Sequence, residues 1–245
     1  MKRWAGLLTG LVLSQGIWAS GLQVNPVTVT IRDRSGIIWL TNGADAPLNA
    51  QVRVYRWTQD ETGEHLVPTR NLVASPPQLR VEVNGKQLVR LVLLAPPEAT
   101  AGVCEQAYRL TVNELPPARA SGVRGLVYVM QYSIPVFVTP QHGCEKIAPA
   151  LTWAIEKAGT GVRLIATNAG QMHAQLSRLS YIDARGRRTL LNPGLVGYVL
   201  AGARMSFPIT TTSSPGLFAG GGQIEVFANG AKVVQALSLD AAASE

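Results

Sequence analysis

The chain has 245 residues, of which 47% are hydrophobic and 15% are charged. This length and composition support buried cores in two domains of ordinary size, and they exclude a wholly disordered protein. The formal net charge is +7, but the Lys and Arg residues are spread along the chain, which excludes the clustered basic stripe of a nucleic-acid-binding protein.

The N-terminus has the three parts of a secretory signal peptide. A basic start (residues 1–3) precedes an apolar run from Trp4 to Trp18, and Ala19-Ser20-Gly21 follows as a small-residue cleavage site. The alternative is a membrane anchor, but this run is short and contains glycines, whereas a span needs about 20 apolar residues. We therefore predict that residues 1–20 are a signal peptide, that the mature chain is exported with a charge of +5, and that it is not inserted in a membrane.

Cysteine and histidine usage predicts one disulfide and no metal site. Cys104 and Cys144 are the two cysteines of the chain, and an exported protein is expected to pair them. The three histidines, His65, His142 and His173, lack the spacing of metal ligands.

The remainder of the chain consists of short alternating segments separated by turn residues every ten or so positions, a pattern typical of β-sandwiches. Seven or eight strands are predicted between Leu22 and Thr139, enough for one immunoglobulin-like domain, and a second strand series begins after Pro149. We predict an all-β protein with one domain over residues 21–143 and another over residues 144–245. The first strand is expected to run from Leu22 to Ile31, and Asn84-Gly85 is expected to turn a hairpin.

The segment Gly125–Pro140 has more apolar surface than one sheet needs. Two side-chain rows alternate along it, and both are apolar at its start. Such a strand either lies in the middle of a sandwich or lends one row to a partner outside the chain.

Six segments, in order, resemble the PapD-like periplasmic chaperones of pilus assembly, and within them the archaic branch of chaperone/usher systems. They are QVRVYRWTQ, the SPP corner, KQLVRL, QAYRLTVNELP, MQYSIPVFV and LVGYVLAGARMSFPI. The resemblance implies two Ig-like β-sandwich domains in a boomerang arrangement and a periplasmic location. It also implies a function, which is to hold pilus subunits by donor-strand complementation and deliver them to an outer-membrane usher.

The resemblance assigns the donor strand to the segment described above. Alternate residues along it would insert into pockets of the subunit about 7 Å apart, while Val127 and Val129 would stay with the chain itself. In the other interpretation, the side chains of these alternate residues fill the core of their own domain. The predicted inserting residues are Leu126, Tyr128, Met130 and Tyr132.

A subunit's terminal carboxylate needs a cation, and here the chain departs from the better-known branch of the family. Pro135 stands where that branch has a lysine two positions before an aromatic residue, and the first strand has no basic residue before Arg32. We predict Arg109 as the anchor, because it lies off the core-facing row of its predicted strand, with Arg53 as the second candidate and Arg90 as a weaker third. An arginine fork binds a carboxylate in bidentate fashion. The alternative for each is a solvated arginine of little energetic value.

No enzymatic chemistry or cofactor is predicted. Ser213-Ser214-Pro215-Gly216 lacks a nucleophile elbow, and Gly220-Gly221-Gly222 lacks the lysine and helix of a phosphate loop. The main alternative function is a structural or adhesive two-domain pilus or cell-surface protein. Such a subunit would carry a long extension before its first domain, whereas Leu22 starts the first predicted strand almost at the cleavage site.

Overall fold

The structure is a computed structural model of the whole chain. It describes residues 21–95, 104–116, 128–140, 144, 148–158, 161–209, 215–218 and 220–239. The predicted signal peptide lies outside the described residues. Within them the secondary structure is β-strand, apart from one short 3-10 turn at Pro215–Phe218. A search of the described residues finds no helix with the length and apolar character that a membrane crossing requires.

Among the residues that the structure describes, ten strands form two sheets in the N-terminal half. One sheet has the order β1-β3-β8-β6, and the other has the order β2-β10-β9-β4-β5 with β7 also paired to β4. The strands are Leu22–Asn25 (β1), Val29–Ile31 (β2), Ser35–Asn42 (β3), Leu48–Asp60 (β4), Gly63–Pro68 (β5), Leu72–Ser75 (β6), Gln78–Val81 (β7), Lys86–Leu93 (β8), Gln106–Leu115 (β9) and Gln131–Val138 (β10).

The two sheets enclose a core made by period-two alternation. Leu40 and Leu91 enter it from one sheet, and Val52, Leu110 and Val136 enter it from the other, all of them buried. Because alternate residues of each strand point to opposite faces, the other row of β4, β9 and β10 lies on the outer face of the second sheet. The predicted sandwich is confirmed, and that outer face carries much of the candidate site.

Two predicted elements of this half are wrong in detail. The segment Leu22–Ile31 is not one strand, because β1 pairs with β3 in one sheet and β2 pairs with β10 in the other. The turn at Asn84-Gly85 is present, with Asn84 in the left-handed region, but β7 pairs with β4 and β8 pairs with β3. The turn therefore connects the two sheets instead of closing a hairpin.

Within the described part of the C-terminal half, seven strands form one sheet, in the order β14-β13-β16-β17-β11-β12-β15. The sheet encloses a second core that includes the buried residues Trp153, Leu164 and Val226. The pairing of β14 with β13 contains register shifts. The strands are Leu151–Ala158 (β11), Gly161–Asn168 (β12), Ala174–Asp183 (β13), Arg188–Val199 (β14), Arg204–Pro208 (β15), Gly222–Ala228 (β16) and Ala231–Leu239 (β17).

The predicted division of the chain at residues 143 and 144 coincides with the change from the first two sheets to the third. Residues 141–143 lie outside the described residues, so the boundary itself stays a prediction.

A buried asparagine organises the loops of the C-terminal half that face the N-terminal half. Asn168 is fully buried and donates to the carbonyl oxygens of Met172, Val199 and Leu200, while its Oδ1 accepts from the amides of Ala150 and Gly170. Backbone groups that would otherwise be buried without partners are thereby satisfied.

Replacement of Asn168 by alanine is expected to lower the free energy of unfolding by about 3 kcal/mol, because several buried backbone groups lose their partner at once. Urea denaturation followed by tryptophan fluorescence measures this change. The control is Asn49→Ala on an exposed position of β4, which should change stability little. Equal effects of the two substitutions would contradict the role given to Asn168.

Candidate functional site

The strands β9 and β10 form an antiparallel pair with a disulfide at one end. Their register runs from Gln131 opposite Asn113 to Val138 opposite Gln106. Cys104, just before β9, is bonded to Cys144, with 5.9 Å between their Cα atoms. The predicted disulfide is confirmed, and it closes the base of this pair of strands.

One row of side chains on the β10 segment passes from the core into solvent. Ile134 is 2% exposed and belongs to the core, whereas Met130 is 42% exposed and Tyr128 is 81% exposed. Pairing with β9 still continues at this end, because the amide of Glu114 donates to the carbonyl oxygen of Met130 at 2.9 Å. The apolar row thus continues beyond the body of the domain, although among the described residues of the predicted strand the assigned strand begins only at Gln131.

Tyr132 stands at the transition between the two environments. Its ring packs against the N-terminal core, and its hydroxyl donates to the carbonyl oxygen of Leu22. Burial, and then the charge of Glu114, raises the pKa of this hydroxyl. Of the four predicted inserting residues, Tyr132 therefore already has contacts within the chain, Tyr128 and Met130 are exposed, and Leu126 lies outside the described residues. Val129, expected to stay with the chain itself, is exposed instead.

One edge of β10 has a neighbouring strand along only part of its length. β2 pairs with β10 in parallel, but only along Val136–Val138. Among the residues that the structure describes, no strand pairs with Gln131–Pro135 on that side. Unpaired N–H and C=O groups on a strand edge are a template for another strand.

Arg109 lies on the outer face of the same sheet, directly across from Pro135 on the neighbouring strand. In the strand register, Arg109 pairs with Pro135 of β10 on one side and with Tyr55 of β4 on the other. On the predicted donor strand, Pro135 thus occupies the position where a basic residue was expected. Arg109 lies directly beside it on β9. Arg53 is exposed on the same face, where it pairs with Thr111 one row further along.

The guanidinium of Arg109 is held by aromatic rings and one carboxylate. Its Cζ lies 3.6 Å from the centroid of Trp57 and 5.5 Å from that of Tyr198. Its Nη2 lies 3.4 and 3.5 Å from the two carboxylate oxygens of Glu64. Only 12% of the side chain is exposed, so the cation is fixed in position and partly dehydrated.

An aromatic cluster joins the two halves of the chain next to Arg109. Trp57 and Phe137 from the first half pack with Tyr198 from the second, and all three are buried. The ring of His173 stacks on Phe137 at 3.5 Å with an interplanar angle of 3°, and its Nδ1 lies 2.8 Å from a carboxylate oxygen of Glu105. The sequence did not single out Tyr198 or His173, because their contacts with Trp57, Phe137 and Glu105 join residues that are far apart in the chain.

The side-chain amide of Gln59 forms a reciprocal pair of hydrogen bonds across this contact. Its Nε2 donates to the carbonyl oxygen of Tyr198 at 3.0 Å, and its Oε1 accepts from the amide of Leu200 at 2.8 Å. The end of β4 is therefore bonded to the end of β14, so the position of the second half depends on a strand that also carries the site.

Substitution of Gln59 by alanine is expected to loosen the two halves relative to each other without unfolding either, because both directional bonds are lost. Nuclear magnetic resonance relaxation of backbone amides should show the rotational correlation times of the two halves diverging. Gln51→Ala, on the same strand but away from the contact, is the control and should leave them equal. An unchanged ratio in Gln59→Ala would contradict the bridging role.

Metal binding has no support in the described ranges, where no group of three or more His, Cys, Asp or Glu side chains is arranged to hold an ion.

Comparison with known proteins identifies a family over half of the chain. The sequence model of the family described as "Pili and flagellar-assembly chaperone, PapD N-terminal domain" matches residues 21–143. A curated relative, a D-amino acid dehydrogenase of Bradyrhizobium diazoefficiens, is 32% identical over 87 residues, which are 35% of this chain and 21% of the dehydrogenase. The chain thus spans about a fifth of that relative's length.

Several solved structures share the fold at low sequence identity. A chain of the CsuC–CsuE chaperone–tip adhesion subunit complex, from the archaic chaperone-usher Csu pili of Acinetobacter baumannii, has a TM-score of 0.66 and 22% identity, covering 89% of this chain and 98% of that one. A chain of the SafA pilin–SafB chaperone complex of Salmonella enterica has a TM-score of 0.61 and 15% identity, covering 89% and 96%. The CupB2 chaperone of Pseudomonas aeruginosa has a TM-score of 0.55 and 19% identity, covering 87% and 98%.

Proposed function

Because the chain belongs to the PapD family of pili and flagellar-assembly chaperones, we propose that it binds pilus subunits in the periplasm by donor-strand complementation. It would then deliver them to an outer-membrane usher, in the manner of the archaic branch. The predicted signal peptide and the disulfide support an exported protein, since disulfides persist in oxidising compartments. The alternative of a structural or adhesive subunit is not favoured, because the matched family is one of chaperones.

The exposed row that leads into β10 is the observation that carries this proposal. Tyr128 and Met130 lie in solvent immediately before a strand that is buried in its own domain and has one open edge. A subunit lacking one strand could use the open edge for backbone hydrogen bonds and receive the two side chains in its groove. The flexible thioether of methionine fits grooves of differing shape. Leu126 would extend the row, and Tyr132 would mark its base.

The second part of the proposal is that Arg109 anchors the subunit's terminal carboxylate. It lies one strand away from the donor strand, on the outer face, with its guanidinium plane fixed against Trp57. A fixed and partly dehydrated cation binds a carboxylate more strongly than a fully solvated one. Arg53, exposed one row away, is the weaker candidate.

Replacing Tyr128 and Met130 together by aspartate is expected to abolish recovery of a soluble one-to-one complex, because two charges would have to enter an apolar groove. The measurement is co-purification with the pilus subunits encoded beside the chain. Circular dichroism should show that the variant is folded, since neither side chain is buried in the free protein.

The matched control is Val129→Asp, which places a charge between these two positions but on the opposite row. It should retain most of the complex. Normal recovery with the double variant, or equal loss with the control, would contradict the donor-strand assignment.

Arg109→Ala is expected to weaken subunit binding about tenfold or more, because a charge-assisted hydrogen bond contributes roughly 1.5–3 kcal/mol. Arg109→Lys should restore only part of the affinity, since lysine keeps the charge but lacks the fork. Titration calorimetry against a purified subunit measures both effects. Arg90→Ala, on an exposed position of the other sheet, should bind like the parent protein. Wild-type affinity in Arg109→Ala would place the anchor elsewhere.

A further inference from the structure

We infer that Glu64 determines the specificity of the anchor: its carboxylate occupies Arg109 in the free protein, and only a ligand that brings its own carboxylate displaces it. This inference rests on the proposed function of Arg109. It adds a residue on β5, a strand to which sequence analysis assigned no functional role.

The contact between the two side chains is weak by its geometry. The Nη2 atom of Arg109 lies 3.4 and 3.5 Å from the two oxygens of Glu64, whereas charge-assisted N–H···O bonds are about 2.7–2.9 Å long. The other hydrogen bond of Glu64 is equally long, since it accepts from Nε2 of Gln59 at 3.4 Å. Its side chain is 40% exposed, so water competes for both oxygens.

The two partners differ in how firmly they are held. Arg109 lies in the middle of the sheet, on β9 between β4 and β10, with Trp57 against its guanidinium. Glu64 lies on β5, the edge strand of that sheet, and five of the six β5 residues are exposed. The cation would stay in place while the carboxylate leaves.

The arrangement discriminates between charged and neutral ligands. A ligand carboxylate replaces the Glu64 ion pair by another ion pair, ideally with shorter bonds. A ligand that ends in a neutral amide would have to separate Arg109 from Glu64 without restoring the charge interaction. Specificity of this kind arises from the cost imposed on the wrong ligand as well as from contacts with the right one.

The test uses two small probes, N-acetyl-dialanine with a free carboxylate and the same compound with a terminal carboxamide. Binding is followed through the side-chain Nε–H resonance of Arg109 in the full mature chain. In the parent protein the acid should shift this resonance in a saturable way and the amide should not. Glu64→Gln should bind the acid about two- to fivefold more tightly, because exposed ion pairs are weak competitors. The amide should begin to shift the resonance in this variant, because it no longer has to separate an ion pair.

The control variant is Glu61→Gln, which removes one negative charge from the same hairpin but from a residue that contacts Arg204, at 3.5 Å. It should leave the affinity for the acid unchanged. If it tightens binding as much as Glu64→Gln does, the effect is one of net charge and the inference is wrong.

The outcomes separate the inference from the function on which it rests. If the acid and the amide shift Arg109 alike in the parent protein, Arg109 is not a carboxylate anchor and the proposal for that residue fails. If the acid binds at Arg109 but Glu64→Gln has the parent affinity, the anchor stands and the role of Glu64 is overturned.

Discussion

The pairing of β10 with β9 is the constraint on which the rest of the structure depends. This pairing continues as far as Met130, beyond the point where β10 leaves the core of its own sandwich. The disulfide between Cys104 and Cys144 closes the other end. A strand held by one neighbour and free on its other edge is extended before any partner arrives, so little ordering entropy remains to be lost on binding.

The two faces of the sheet that contains this pair have different roles. Its inner face supplies Leu110 and Val136 to the core. Its outer face meets the second half of the chain through Trp57 and Phe137, and next to that contact it presents Arg109. Alternation along the strands thus places the proposed donor row on the core-facing side and Arg109, the proposed anchor, beside the domain contact. We expect that the donor row can change without disturbing Arg109, whereas a change at Trp57 would affect both Arg109 and the position of the second half.

Local patterns in the sequence predicted what depends on neighbouring residues. Period-two alternation predicted a sandwich of short strands, and it placed Arg109 off the core-facing row of its strand, as the structure confirms. Export and the cysteine count predicted the disulfide.

Features that depend on distant partners were not predictable in this way. The chain changes sheets between β1 and β2, and again at the turn Asn84-Gly85. A local turn signal is the same whether the two flanking strands pair with each other or join different sheets. The contacts of Gln59, His173 and Tyr198 join residues far apart in the chain. Glu64 appears in sequence as one more charged residue of an exposed strand. The role proposed for Glu64 rests on its proximity to Arg109, which the sequence does not show.

The most direct test of donor-strand complementation is amide hydrogen exchange of residues 128–134 in the free chain and in its complex with a pilus subunit. If β10 becomes a strand of the subunit's sheet, these amides should exchange markedly more slowly in the complex, while those of β8, in the other sheet, should be unaffected. Unchanged exchange along residues 128–134, together with new protection elsewhere on the chain, would show that the subunit binds by another surface.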